Sequence, residues 1–340
     1  MNPRRGMRLL ILTDHGGHTA NNSLYALARA LYADARVREI RVASRGTAAN
    51  DEFFACRAEG DPVLLTLPVD HGFTFDGAAA GFSDSEHLVA TPVSWCDAVF
   101  LRVPHPVPPA WFGYLRKTFG QRPMTNAPEG IEATTSKAWL LNVPELCAPM
   151  RLCRTPAEVR AFAKTRDAVL KPLRGYGGRG ILRVRDGRVE VGEERVSLAD
   201  WPEHPAARHD YLAVEYTRRV GEGDKRIVVV DGEVLGAALR LPAPGGWLCN
   251  VSQGGRAEAA ALTPEEERIA RTLDGHMRRL GVVMYGIDTL VGNDGRRVLS
   301  EVNTMSIGGL NDLSPDDDGV PAATRAAQLL LPHLTTVTHP

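Results

Sequence analysis

The pattern of apolar and polar positions predicts a parallel α/β unit at the start of the chain. The apolar run 7–13 is typical of a buried strand, and the segment 21–34 carries a helical stripe of Leu and Ala that begins at Asn22 or Ser23. A second strand is predicted at 38–44. A strand, a helix and a strand in this order indicate a parallel sheet.

The pattern weakens between residues 47 and 91, and it does not place the elements of this segment. A strand follows at 98–103, and a cluster of prolines ends it. We expect this strand to be the last core piece of a first domain that ends near Arg122.

The second half of the chain reads as α+β. Strands rich in Val, Leu and Ile alternate with glycine-containing turns, and two helices with marked start signals interrupt them. One helix has Thr155 as its cap followed by Pro156; the other has Thr263 and Pro264, with Glu266 completing a capping box. We assign the apolar stripe of the second helix to core packing.

Composition narrows the classes of partner. The 340 residues predict about two domains. Lys plus Arg number 40 and Asp plus Glu 41, so the net charge of −1 favours neither nucleic acid nor a membrane as a partner. The five cysteines form no CxxC pair, which argues against a disulfide framework or a cysteine zinc site. The apolar run 9–12 is too short for a signal peptide, so we expect a cytoplasmic protein.

A glycine-rich segment is the first candidate for chemistry. In AVLKPLRGYGGRGILRV, Gly175, Gly177 and Gly180 match GxGxxG, but a strand pattern follows them where a dinucleotide-binding site needs a helix. We therefore predict a hairpin whose glycine-rich loop covers a polyphosphate, with Lys171 just before it. The alternative is an ordinary surface hairpin with an exposed lysine.

A second hairpin carries the candidate metal ligands. Its strands are joined by Gly-Asn-Asp-Gly, and folding about this turn places Asp288 opposite Glu301, with Asn303 on the same face. Two carboxylates and an amide oxygen on an otherwise apolar ribbon suit Mg²⁺. The alternative is a set of solvent-facing polar residues on an edge hairpin.

A basic hairpin lies between these two segments. Its strands meet at Asp231 and Gly232; Asp224, Lys225 and Arg226 enter the first strand, while Arg240 leaves the second, as VVVDGEVLGAALRLP shows. If phosphoryl transfer occurs, the cations would neutralise charge on the moving phosphoryl group. The alternative is a set of scattered basic residues on the surface.

These segments occur in the order found in ATP-grasp enzymes, and within that superfamily the chain resembles the bacterial glutathione synthetases. The resemblance covers about residues 97–313 and is carried by LRVPHPVPP (Arg102), TTSKAWL (Lys137), VLKPLRGYGG, GDKRIVVVDGEV, RLP, NVSQGGRAE, LTPEEERIA, YGIDTL and EVNTMS. It implies a parallel α/β domain (1–122), followed by a two-lobed ATP-grasp fold with a lid subdomain (123–215) and a catalytic subdomain (216–340).

The resemblance also implies roles for individual residues. Nucleotide contacts fall on Lys137, Lys171, Gly175, Tyr176, Gly177, Gly178, Glu215, Tyr216 and Asp224, with Glu215 and Tyr216 as a hinge that binds adenine through its backbone. Arg226 and Arg240 would face an acyl phosphate, and Asp288, Glu301 and Asn303 would hold Mg²⁺, or Mn²⁺ in its place. Substrate contacts fall on Arg102, Asn250, Gly254, Gly255 and Ser306.

The implied reaction joins a carboxylate to an amine. The carboxylate attacks the γ-phosphate of ATP to give an acyl phosphate and ADP, and the amine then displaces phosphate. The expected substrates are small, an amino acid or a short peptide. The resemblance further suggests a homo-oligomer.

Two departures from the family pattern leave the substrate pair open. NTMSIGGL replaces the NVTSP-like segment after Asn303, and Val-Pro-His-Pro replaces a Lys-Asp-Pro-Pro run after Arg102. The alternatives are a related ligase with another substrate pair and a non-catalytic nucleotide-binding regulatory protein. The loop 14–19, DHGGHT, is predicted to be an ordinary or a substrate-lining loop in preference to a metal site.

Overall fold

The computed structural model describes residues 6–77, 80–82, 86–175, 178–242 and 256–335. In these ranges the α-helices are α1 (Ser23–Ala33), α2 (Asp51–Phe54), α3 (Trp111–Phe119), α4 (Pro128–Thr134), α5 (Pro156–Ala163), α6 (Pro264–Arg279) and α7 (Ala322–Thr335). The strands are β1 (Met7–Thr13), β2 (Val37–Ser44), β3 (Val63–Pro68), β4 (Val89–Pro92), β5 (Ala98–Leu101), β6 (Met124–Thr125), β7 (Met150–Cys153), β8 (Ala168–Pro172), β9 (Leu182–Arg185), β10 (Arg188–Val191), β11 (Glu194–Ser197), β12 (Tyr211–Glu215), β13 (Asp224–Val230), β14 (Glu233–Leu241), β15 (Arg256–Ala260), β16 (Met284–Val291) and β17 (Arg297–Asn303).

The first sheet has the order β4-β3-β2-β1-β5-β6. The strands β2, β1, β5 and β6 run parallel, which confirms the predicted parallel α/β unit, and Asn22 caps α1 by accepting from the amide of Leu24. The antiparallel strands β3 and β4 come from the segment with no predicted elements. The strand β6 extends this sheet just past residue 122.

The second sheet is antiparallel, with the order β11-β10-β9-β8-β12-β7. The strands β8 and β9 pair on either side of the glycine-rich segment, with Leu170 opposite Leu182. This pairing confirms the predicted hairpin. The strand β9 follows the glycines, where a dinucleotide-binding site would have a helix.

The third sheet is also antiparallel, with the order β15-β14-β13-β16-β17. Asp231 and Gly232 both have positive φ, at 49° and 81°, as a tight two-residue hairpin turn requires. The register pairs Asp224 with Arg240 and Asp288 with Glu301. Both predicted hairpins are therefore confirmed.

Helix α6 covers one face of the third sheet. Ile269, Leu273 and Met277 are fully buried there, beside Ile227 and Ile287 of the strands, which confirms the assignment of this stripe to the core. Both predicted caps are present as capping boxes.

Two contacts between distant parts of the chain position the third sheet. Helix α7 packs against α1, and their buried residues share a core with Val228 and Met284 of the third sheet. The buried Asn126 side chain accepts from the amides of Val283 and Met284, and it donates to two carbonyl groups. Among the described residues, no helix has the length and apolar character needed to cross a membrane.

Candidate active site

A cleft of about 590 Å³ lies between the second and third sheets. This volume is in the usual range of small-molecule sites, roughly 300–1,000 Å³. Twelve of the predicted site residues line it: Lys137, Lys171, Gly175, Gly178, Glu215, Tyr216, Asp224, Arg226, Arg240, Asp288, Glu301 and Asn303.

The predicted metal ligands share one face of the β16–β17 hairpin. Asp288 lies opposite Glu301, and the amide of Asn303 donates to Asp288 Oδ2 over 3.3 Å. Asp288 is only 6% exposed. In the part of the chain that the structure describes, no group of three or more His, Cys, Asp or Glu side chains is arranged to hold a metal ion; the predicted set consists of two acids and an amide.

Two arginines neutralise the buried acids of the cleft. Arg226 binds Asp288 through both of its oxygens, with Nη2 at 2.9 Å from Oδ2. Arg240 donates twice to Asp224, at 2.7 Å each, and its Nη2 lies 3.1 Å from Asp288 Oδ1. Burial acts to raise the pKa of Asp288, but the charges of both arginines outweigh it and hold that pKa well below its usual value. Asp224 differs, because burial and the charge of Asp288 raise its pKa.

Two lysines bind residues of β17. Lys137 Nζ donates to Glu301 Oε1 over 2.9 Å and to the carbonyl of Gly175 over 2.7 Å. Lys171 Nζ donates to Ser300 Oγ over 2.9 Å, and its burial lowers its pKa. The lysines thus join the base of the glycine-rich segment to β17.

The predicted hinge lines the cleft, but its amides have partners. The amide of Glu215 donates to Pro149 O over 2.8 Å, and that of Tyr216 donates to Asp167 O over 2.9 Å. Tyr216 O accepts from the side chain of Asn293. The backbone role of the hinge in adenine binding stays a prediction.

Arg102 does not line the cleft. It is 3% exposed, and its Nη2 donates to Ile307 O over 2.8 Å. Its Nη1 is buried without a hydrogen-bond partner in the described part of the chain, and burial lowers its pKa to about 10. Ser306, with φ of 54°, lines an adjoining cavity of about 220 Å³.

Five predicted residues lie outside the described residues: Tyr176, Gly177, Asn250, Gly254 and Gly255.

The loop after β1 contributes Gly17, Thr19 and Asn21 to the cleft. Its two histidines face into the first unit: His15 Nδ1 lies 2.8 Å from the hydroxyl of Ser44, and His18 Nδ1 lies 2.8 Å from that of Tyr25. The position of the loop agrees with the substrate-lining alternative, which stays a prediction.

Sequence reasoning missed a buried ion network on the opposite face of the third sheet. Glu266 is fully buried, 2.8 Å from Lys225 Nζ, and it accepts from Thr289 Oγ1 over 2.6 Å. Glu266 was assigned only to the capping box. Side chains alternate along a strand, so Lys225 and Thr289 lie on the face of the sheet away from Arg226 and Asp288. This alternation could have indicated a second polar cluster.

Comparison with known proteins places the chain in a family. Residues 136–318, more than half of the chain, match the family model described as "Prokaryotic glutathione synthetase, ATP-grasp domain". The chain is 31% identical to the glutathione synthetase of Parasynechococcus marenigrum over 278 residues, which are 78% of this chain and 84% of that one. It is 31% identical to that of Bradyrhizobium diazoefficiens over 222 residues, 64% of this chain and 68% of that one.

Solved structures share the fold over almost the whole chain. The D-cycloserine synthetase DcsG matches with a TM-score of 0.64 at 16% identity, covering 96% of this chain and 100% of its own. The ATP-grasp ligase PsnB, complexed with precursor peptide PsnA2 and AMPPNP, matches with a TM-score of 0.57 at 16% identity, covering 98% and 99%. The chain therefore belongs to the prokaryotic glutathione synthetase family of ATP-grasp ligases.

Proposed function

We propose that the protein is an ATP- and Mg²⁺-dependent ligase that joins a carboxylate to an amine through an acyl phosphate and releases ADP and phosphate. The observation that carries this proposal is the convergence of cations and acids in one cleft. Five cations line it together with two acids and an amide of one hairpin: Lys137, Lys171, Arg179, Arg226, Arg240, Asp288, Glu301 and Asn303.

The cleft has an apolar and a charged part, as a nucleotide requires. Apolar side chains beside the predicted hinge suit an adenine ring; they are Ala148, Val169, Ile181, Val214, Leu290 and Leu299. Lys137 and Lys171 lie beside Gly175, where an ammonium and close backbone can meet phosphate oxygens.

The acids fit a divalent ion of the hard type. Asp288 and Glu301 offer carboxylate oxygens on one face of a hairpin, and Asn303 adds an amide oxygen, which is the donor set that Mg²⁺ prefers and Mn²⁺ accepts. When bound, the ion supplies positive charge to phosphate oxygens. Arg226 and Lys137 now neutralise these acids, so both side chains would become available to a phosphate anion.

The side chains of the cleft would act by alignment and charge neutralisation. A carboxylate oxygen of the donor attacks the γ-phosphorus of ATP, the bond to the β–γ bridging oxygen breaks, and ADP leaves. The amine then attacks the acyl carbon, phosphate leaves with the acyl oxygen, and the amine loses a proton. Arg226 and Arg240 would stabilise the charge on the transferred group, and the glycine-rich hairpin would exclude water.

The substrate pair is the finer part of the proposal. The relatives named glutathione synthetases make γ-glutamylcysteine and glycine the first pair to test. The segment NTMSIGGL favours a different pair, because Ser306 within it lines the cavity next to Arg226 and Glu301. The PsnB complex, which contains the precursor peptide PsnA2, adds peptides to the candidates.

A matrix of carboxylates against amines tests the proposal. We expect ADP and phosphate in equal amounts, formed only when both substrates are present. Formation of AMP would contradict the acyl-phosphate route. Tight binding of ATP without turnover on any pair would instead favour a non-catalytic regulatory protein.

A further inference from the structure

A cavity of about 700 Å³ adjoins the proposed active site. The proline-rich segment 105–109 and Phe112 line one part of it, and Arg174 and Arg179 of the glycine-rich hairpin line another; Glu132 also contributes. We call this cavity the outer groove.

The outer groove leads to the place where the proposed reaction occurs. His105 and Thr135 line both the outer groove and the cavity of about 220 Å³ that contains Arg226 and Glu301. That inner cavity is smaller than the roughly 300–1,000 Å³ usual for a small-molecule site. The part of a substrate beyond its reacting group can therefore extend into the outer groove.

The charged residues of the outer groove are mostly cations without partners. Arg174 and Arg179 are exposed, and their side chains make no hydrogen bond or ion pair within the described ranges. Arg179 also lines the cleft, but three other cations of the cleft, Lys137, Arg226 and Arg240, are each paired with an acid. With one acid, Glu132, and several apolar residues, the outer groove has an excess of positive charge.

The neighbouring histidine reports the same positive potential. Burial, and after it the charges of Arg45, Arg174 and Lys137, together lower the pKa of His105 to about 4. No acidic residue is among the groups that shift the pKa of His105. The junction between the two cavities therefore favours an anion, and His105 itself is neutral near pH 7.

We propose that the outer groove binds a carboxylate of a substrate, remote from the group that reacts, and that Arg174 and Arg179 are its ligands. The inference rests on the proposed function and narrows its substrates to amino acids or short peptides with a free carboxylate beyond the reacting group. This carboxylate can belong to the donor or to the amine, and the two arms of the test distinguish them.

The test measures binding of matched probes to the full chain by calorimetry. One arm compares Ala-Ala with its carboxamide, which removes only the remote charge of an amine substrate. The other arm compares N-acetylglutamate with N-acetylglutamine, whose carboxamide removes the charge of the side-chain carboxylate of a donor. We expect the acid to bind about tenfold more tightly in one arm, the scale of a charged hydrogen bond. This preference should weaken in high salt.

Variants connect the preference to the two arginines. In the double variant Arg174→Gln/Arg179→Gln we expect the acid and the amide to bind within about twofold of each other, because neutral side chains lose the charged contact. Arg188→Gln, which changes an exposed arginine of the same sheet, should keep the full preference.

The outcomes separate this inference from the proposed function. An unchanged preference in the double variant overturns the inference, and so does the absence of any preference, or of binding at millimolar concentration, in the parent protein. A preference that depends on the arginines, together with no ADP formation in the substrate matrix, would support the outer groove and contradict the ligase. ADP formation without a preference for the acid would support the ligase and contradict the outer groove.

Discussion

The third sheet carries an ion network on each of its faces, and the two networks differ in access. On the cleft face, Arg226 and Arg240 pair with Asp288 beside a cavity of about 590 Å³. On the other face, Glu266 pairs with Lys225 beneath α6, where it is fully buried. Consecutive residues of one strand supply both networks, because side chains alternate across a sheet.

The comparison shows that buried charge by itself does not identify a functional site. In the network under α6, Glu266 binds the cation Lys225 and the hydroxyl of Thr289, and none of the three lines the cleft or the two cavities that adjoin it. In the cleft network, Arg226 and Arg240 line a cavity, and under the proposed function they would exchange an acid for a phosphate. We therefore expect changes under α6 to affect stability and changes in the cleft to affect turnover.

Glu266→Gln should give the largest effect. It leaves the buried ammonium of Lys225 without its carboxylate, and removal of one partner from a buried pair costs about 3–5 kcal/mol. Urea unfolding measures the loss of free energy. Glu267→Gln changes an exposed glutamate of the same helix and should change it little. A loss below about 1 kcal/mol for Glu266→Gln would contradict a structural role for this network.

Glu301→Gln should lower turnover much more than it lowers stability. It removes a carboxylate charge from the cleft without removing volume, so we expect turnover to fall by roughly 100- to 1,000-fold, the scale for loss of one preorganised charge contact. The free energy of unfolding should fall less than in Glu266→Gln, because the Glu301 side chain is 28% exposed and Lys137 keeps its hydrogen bond to Gly175 O. The control is Glu258→Gln on the exposed strand β15. Near-normal turnover would show that the metal assignment is wrong.

Lys171→Ala should act on the nucleotide. Loss of the ammonium should weaken ATP binding by about tenfold or more, as expected for a charged hydrogen bond. Equilibrium titration with ATP measures this, and the exposed Lys164→Ala serves as the comparison. Unchanged ATP affinity would contradict the proposed phosphate contact.

Acid titration should produce the smallest effect. Burial acts to raise the pKa of Glu266, but hydrogen bonds from Lys225 and Thr289 hold it below 4.5. A lowered carboxyl pKa stabilises the folded state above the unfolded value, and this stability is lost as the pH falls through the folded pKa. As the pH is lowered below 4.5, the free energy of unfolding should therefore fall less steeply in Glu266→Gln than in the parent protein. An identical slope in both proteins would be evidence against this assignment.

Local rules explain which elements could be predicted. The Asp231-Gly232 turn, the capping boxes at Thr155 and Thr263, and the pairing of Asp288 with Glu301 depend on residues close in sequence, and all are present. The strands β3 and β4 were missed, because the segment 47–91 lacks the alternation that identifies a strand on its own.

The partners of the charged residues could not be predicted in the same way. Lys137 and Glu301 are 164 residues apart, and Arg102 binds a carbonyl 205 residues away. Such contacts depend on how separate sheets and loops pack, which no local periodicity specifies. The resemblance to a family indicated that these residues matter, but it did not say that Arg102 is buried away from the cleft.

The sequence by itself determined the hairpins, the caps and the face of the third sheet on which its acids lie, because turn chemistry and strand alternation are properties of neighbouring residues. Only the tertiary structure decided which charges face a cavity and which are covered. Lys225 and Arg226 are adjacent in sequence, yet one lies under α6 and the other beside the cleft. Access to a ligand depends on what packs on each face, and distant segments of the chain provide that packing.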